Sequence, residues 1–295
     1  MTNRLPPRSV KENQHFVPRS WLSRFAGQDG RVLAIKDGKD VTQIAVADIM
    51  SGDWIYTVFD EWWRPSDELE DALSIEESRA AKLFESLHTS PVQPNDKGWI
   101  DLCHFLALTV CRHPDTMQTG HTRSKELAWH LADVRAFNDA AAFFGETKQK
   151  FGVDLSTAEY QRLLLADPSN LIAEAEEVEH LTPQDPKLPE QISLSAVNNV
   201  ATQISVLNLF LLDAPKGANY VLSDRPMPLH DLAFGFTVPL SKNLALLAMP
   251  GDGREVIYGR REATPEMVAL VNTEQADRMK SVIIGPDRAV LESLF

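Results

Sequence analysis

Apolar positions change their spacing twice along the chain, dividing it into three regions. In the first, Trp21, Leu22 and Phe25 fall on one face of a short helix behind Pro18. Proline is tolerated at a helix start because its missing N–H would have no intrahelical partner. Residues 31–35, 41–46 and 53–59 are rich in β-branched and aromatic residues and predict three strands, the first two joined by a hairpin turn at Asp37-Gly38.

From Ser66 the spacing becomes helical. Leu69, Leu73, Ala80, Leu83, Phe84 and Leu87 form a stripe on a helix with Ser66 as its cap, broken by Pro91 and Pro94. Between the charged ends Lys97 and Arg112, residues 97–112 are nearly all apolar apart from Asp101, His104 and Thr109, which predicts a helix central to the core, stopped at His113-Pro114. Helical patterns continue over 124–144, 156–165, 168–180 and 190–211. Short strands return at 219–222, 234–238, 244–248 and 256–258, Thr264-Pro265 opens a last helix, and 281–284 closes as a strand. The pattern predicts an α+β fold, with a helical middle and strands from both ends of the chain forming a mixed or antiparallel sheet. With no repeat and no low-complexity linker, a single domain over 1–295 is expected, residues 1–12 being a flexible tail.

Composition adds limits. The hydrophobic and charged fractions, 43% and 24%, are those of an ordinary globular protein. No apolar run reaches bilayer length and no signal-like apolar segment follows the basic start, so the expected location is the cytoplasm, away from membranes. Cys103 and Cys111 on one helix would stand about 12 Å apart, beyond the roughly 7 Å reach of a disulfide, so both are expected as reduced thiols. A net charge of −13 argues against coating nucleic acid by bulk electrostatics. The first 31 residues nevertheless hold Arg4, Arg8, Lys11, Arg19, Arg24 and Arg31 against Glu12 and Asp29. That is either a local basic face for phosphate or a solvated tail.

Four residues carry the candidate chemistry, each beside a plainer role. His15 is a general base, metal ligand or phosphate donor, or a ring holding a local hydrogen bond. Glu76 is out of phase with Glu70 on its helix and in phase with Arg79, so a surface ion pair competes with a catalytic role. Arg112 ends an apolar helix, where it meets phosphate or offsets the helix dipole. Asp224 follows a strand, as catalytic carboxylates often do, or closes an Asx-type turn. Zincin, P-loop, Rossmann and nucleophile-elbow motifs are absent. Glu146-Thr147-Lys148 has a nuclease-like spelling but sits on a helix without the strand it requires.

The stretch Gln14-His15-Phe16-Val17-Pro18-Arg19-Ser20-Trp21-Leu22-Ser23-Arg24-Phe25 resembles the QHxVPxxYLxxF opening of the DUF4238 family, with Trp21 where Tyr is usual. Leu69-Glu70, Leu73, Ile75-Glu76 and Ala80-Ala81 are similar to its LExxLsxiExxaa segment. Arg112-His113-Pro114 and Leu222-Ser223-Asp224-Arg225-Pro226 follow in the family's order, and Pro239-Leu240-Ser241 and the Asn272 helix extend the likeness to about residue 285. The resemblance implies a shared fold and brings no established activity. The residue types point first to a metal-dependent phosphodiester hydrolase of nuclease type. His15, Glu76, Arg112 and Asp224 would be catalytic, Gln14, Arg19 and Arg24 would bind substrate, Mg²⁺ or Mn²⁺ would serve the carboxylates, and the basic N-terminal face would guide nucleic acid. The alternative is a non-catalytic ligand-sensing or protein-interaction module that binds a small anion or peptide.

Overall fold

A computed structural model describes residues 12–38, 40–59, 65–66, 68–89, 96–181, 196–252 and 256–295. The expected tail, with Arg4, Arg8 and Lys11, and the expected break at Pro91 and Pro94 lie outside the described residues. The described chain falls into two compact units. One comprises 12–57, 65–113 and 196–295; the other comprises 58–59 and 114–181.

The first unit is α+β. It opens with β1 (Asn13–His15), α1 (Arg19–Leu22), β2 (Arg31–Lys36), β3 (Thr42–Ala45) and β4 (Ser51–Asp53). After β5 (Val58–Phe59), which belongs to the second unit, come β6 (Pro65–Ser66), α2 (Glu68–Thr89) and α3 (Asp96–Cys111). In the loop between β2 and β3, Asp37 and Gly38 take left-handed φ values of 53° and 68°, which help to reverse the chain.

Helices α4 (Pro114–Ala132), α5 (Ala140–Phe151), α6 (Thr157–Leu165) and α7 (Pro168–His180) make up most of the second unit. Their starts are legible: Asp139 and Asp167 cap α5 and α7, and Ser156 with Glu159 forms a capping box on α6. Val134, Phe143 and Leu171 form the buried centre, with His130 stacked on Phe143 at 5.1 Å.

The chain re-enters the first unit at α8 (Val197–Ser205) and continues through β7 (Asn208–Asp213), β8 (Leu222–Ser223), β9 (Phe236–Ser241), β10 (Leu244–Met249) and β11 (Tyr258–Glu262). It ends with α9 (Pro265–Arg278), β12 (Val282–Gly285) and α10 (Arg288–Glu292). Strands from the two ends share the sheet β3-β2-β12-β8, which is antiparallel, with Ile35 opposite Ile283. A second sheet, β11-β7-β10-β9, is mixed because β11 runs parallel to β7. A two-stranded ladder pairs β1 with β4, placing Gln14 opposite Gly52.

Several elements depart from expectation: the helix expected over 124–144 is divided into α4, ending at Ala132, and α5, beginning at Ala140, and Ser66, the expected cap of α2, lies in β6. The helix expected over 190–211 gives way at Asn208 to β7, a strand covered by neighbours on both sides. An unbroken apolar run reads alike for a central strand and a buried helix. The strand expected over 53–59 ends at Asp53, because Trp54 takes a left-handed φ of 60° and turns the chain. Pro114 begins α4 as well as ending the segment before it, the other position proline favours.

Side chains close one edge of each four-stranded sheet. On β9, Trp21 Nε1 donates to Pro239 O at 3.0 Å and Arg278 Nη2 donates to Thr237 O at 2.9 Å. Around β8, Asn272 and Gln275 on α9 act as a substitute strand. Asn272 accepts from Val221 N and donates to Asn219 O, while Gln275 accepts from Ser223 N and donates to Pro226 O. Exposed edges recruit other chains, and these bonds blunt both. Trp21 also packs on Phe84 and Phe105, and α3 packs against α2 and α8. Cys103 and Cys111 are free and buried on α3, where desolvation lifts their thiols to about 12 and about 11, so both stay protonated. No described helix is long and apolar enough to cross a membrane.

Candidate functional site

The opening motif, the long helix and Arg112 meet around one guanidinium. Arg112 is 1% exposed. Its Nη1 donates to Glu77 Oε1 at 2.6 Å, its Nε donates to the Tyr56 hydroxyl at 3.2 Å, and its Nη2 donates to the carbonyl of His15. Tyr56 returns a bond from its hydroxyl to Arg112 O at 2.9 Å, and the guanidinium lies 5.0 Å from the centre of the Tyr56 ring. Against the penalty of burial, Tyr56 and Glu77 together hold the guanidinium pKa above its ordinary value. Burial pushes the Tyr56 phenol up too, so it remains a donor. Each of the three guanidinium nitrogens therefore donates to a protein group.

Gln14 supports the same knot from beneath. It is fully buried, donates to Thr57 Oγ1 at 2.8 Å and accepts the Tyr56 N–H at 2.5 Å. The His15 ring is half-buried and donates from Nε2 to Val46 O at 3.2 Å. Desolvation is the main influence on that ring and sets its pKa below the usual imidazole value, which leaves it neutral at pH 7.

The second clasp is one residue further on. His113 packs edge-on against Phe16, with ring centres 5.4 Å apart, and donates from Nε2 to the carbonyl of Asp224 at 3.1 Å. The Asp224 carboxylate is turned toward the start of β12. Oδ1 accepts from Lys280 N at 2.9 Å; Oδ2 accepts from Ser281 N at 2.8 Å, Ser281 Oγ at 2.7 Å and Val282 N at 3.2 Å. So Arg112-His113 links the opening motif on one side to the Asp224 loop on the other. The link to Asp224 runs through its backbone, not its carboxylate.

Of the remaining candidates, Arg19 stands close enough to the His15 ring to lower its pKa, whereas Glu76 and Arg24 turn to other partners. Glu76 pairs with Arg79 at 2.6 Å, and its neighbour Glu77 is the carboxylate that reaches Arg112. Arg24 donates to Ala81 O at 3.0 Å, sits over Phe84 and approaches Glu85 at 3.7 Å. Arg19 is exposed. The residues do not fit a metal ion shared between Glu76 and Asp224: four donors occupy Asp224, and Glu76 is committed to Arg79. Tyr56, Glu77 and His113 had no part in the expected site, since no spacing rule relates a turn, a helix and a helix end.

An open groove in the same unit is built from residues that no motif singled out. It has a volume of about 740 Å³ and lies between α9, the ends of β9 and β10, and the segment before β9. Phe234, Phe236, Leu247 and Met249 give it apolar surface. Phe234 is 80% exposed, because β9 begins only at Phe236 and the helical turn Leu232–Phe234 carries the ring outward. Gly235 makes this approach to β10 possible. Its φ is 92°, and a Cβ there would lie 2.6 Å from Ala248 O.

The groove's charges have both signs. Arg278 approaches Glu274 at 3.8 Å, and Glu274 accepts the Thr237 hydroxyl at 2.5 Å. Arg278 Nε is buried without a hydrogen-bond partner, and desolvation lowers the guanidinium pKa. Arg261 lies over Phe210, 5.9 Å from the ring centre, and Asp231 and Asp277 complete the charged lining. Gly259 leaves the room that Phe210 occupies, since a Cβ there would meet the ring at 2.7 Å.

The model of one family, described as a protein of unknown function (DUF4238), matches residues 13–289. No curated protein and no solved structure matches the chain.

Proposed function

Since the chain belongs to the DUF4238 family, whose description assigns no function, we propose from its own chemistry that it is a non-catalytic ligand-binding module with the groove beside α9 as its site. The observation that carries this reading is the groove itself, an apolar surface with an outward-turned Phe234 and charged groups of both signs. Its volume, about 740 Å³, falls within the range of small-molecule sites. Such sites pair apolar walls with a few polar groups that orient the ligand. The clasp around Arg112 supports the reading from the other direction, because all three guanidinium nitrogens donate within the protein.

The test uses the methyl resonance of Met249, a lining residue, in full-length protein labelled with ¹³C-methyl methionine and assigned by Met249→Leu. Neutral apolar, anionic, cationic and zwitterionic small molecules are titrated in turn. At least one class is expected to shift Met249 saturably while the methyl of Met50, which is not a lining residue, stays still. Phe234→Ala should weaken that binding about tenfold, the effect of losing roughly 1.4 kcal/mol of apolar contact. The proposal fails if no class moves Met249, or if Phe234→Ala binds as wild type does.

A further inference from the structure

We infer that the groove takes a short apolar peptide with both termini free, a zwitterion with an apolar body; this rests on the groove being a binding site. The charge pattern selects the ligand. Arg261 and Arg278 are set among Asp231, Glu274 and Asp277. A purely anionic ligand would bring its charge against three carboxylates, and a purely cationic one would meet two guanidiniums. A neutral apolar ligand would cover both kinds of charge and return nothing for the water removed from them. A molecule with a carboxylate for Arg261 and an ammonium for Asp277 pairs both. Those two side chains are exposed, and neither forms an ion pair among the described residues.

Size and backbone geometry narrow the ligand further. A groove of about 740 Å³ has room for more than a single amino acid and suits two or three residues. Phe234, Leu247 and Met249 offer apolar contact to the side chains between the two termini. The peptide is held by its ends and side chains, not as an added strand. The outward carbonyls of Thr237 and Pro239 on β9 are already taken by Arg278 and Trp21, and Pro239 has no N–H to offer.

The probe is the dipeptide phenylalanyl-leucine, titrated against the same Met249 methyl signal in four forms: free, N-acetylated, C-amidated and doubly capped. The free form is expected to bind most tightly, and each cap should weaken it about threefold, the effect of losing one ion pair at an exposed side chain. Amidation should have little further effect in Arg261→Gln, and acetylation little further effect in Asp277→Asn. Both substitutions are at exposed positions, and an unchanged unfolding midpoint verifies each fold. If the doubly capped dipeptide binds as tightly as the free one, the groove is an apolar site and the zwitterion inference is overturned while the binding reading stands. The inference is likewise overturned if another ligand class shifts Met249 and no form of the dipeptide does. Equal cap effects in wild type and both variants would also overturn it. If nothing moves Met249, the binding reading itself has failed.

Discussion

Arg112→Ala should lose about 3–5 kcal/mol of folding stability, the usual result of removing one partner from a buried ion pair. The substitution strips Glu77 of its cation, the His15 carbonyl of its donor and the Tyr56 ring of the guanidinium packed on it. Native domains have only about 5–15 kcal/mol in total, so the first unit would stand near its unfolding threshold. Urea unfolding followed by tryptophan fluorescence reads this as a lower midpoint at an unchanged slope. Arg112→Lys should recover only part of the loss. An ammonium keeps the charge, but it lacks the planar fork that serves Glu77, Tyr56 and His15 together. A loss below about 1 kcal/mol in Arg112→Ala, the scale of an exposed pair, would remove the clasp from the explanation of the fold.

Asp224→Ala should be the next most damaging change. The carboxylate accepts the backbone N–H groups of Lys280, Ser281 and Val282 and the Ser281 hydroxyl, fastening the chain where β12 begins. Each buried donor left without a partner costs about 1–3 kcal/mol. Because the Lys280 and Ser281 donors are only partly buried and water can reach them, a total of about 3 kcal/mol is expected. Ser281→Ala removes one hydroxyl donor and leaves the carboxylate satisfied by the backbone, so its effect should be about 1 kcal/mol. Asp224→Asn should fall between the two, since one amide oxygen still accepts while the amide nitrogen faces other donors. Equal midpoints for Asp224→Ala and Ser281→Ala would contradict this assignment.

Much of the fold was legible because local chemistry and burial agreed. The hairpin at Asp37-Gly38, the apolar helix α3 and the capped start of α9 follow from turn, periodicity and capping signals. The sharing of a sheet by both chain ends followed from where the strands lie in the sequence. The β7 strand was hidden because its unbroken apolar run, Leu209 to Leu212, lacks the polar alternation that separates strand from helix. At the candidate site, the motifs marked places that meet, but residue type alone could not tell a side chain that reacts from one that fastens. Arg112 and Asp224 have the polar character of catalytic groups and spend it on protein partners. Glu76 and Glu77 differ by one helical step of about 100°, which turns one to Arg79 and the other to Arg112. The groove had no sequence signal because its lining comes from several elements at unrelated spacings.

Whether the motif residues fasten the fold or catalyse a reaction is tested most directly by cleavage of DNA and RNA in Mg²⁺ or Mn²⁺, comparing wild type with His15→Ala. His15→Ala keeps the backbone carbonyl that Arg112 uses and loses only the ring's bond to Val46, so it should fold within about 1 kcal/mol of wild type. The expected result is no cleavage above the blank for either protein, with either metal and on either nucleic acid. Cleavage by wild type that disappears in a His15→Ala protein with an unchanged unfolding midpoint would contradict the non-catalytic reading and restore His15 as a reacting group.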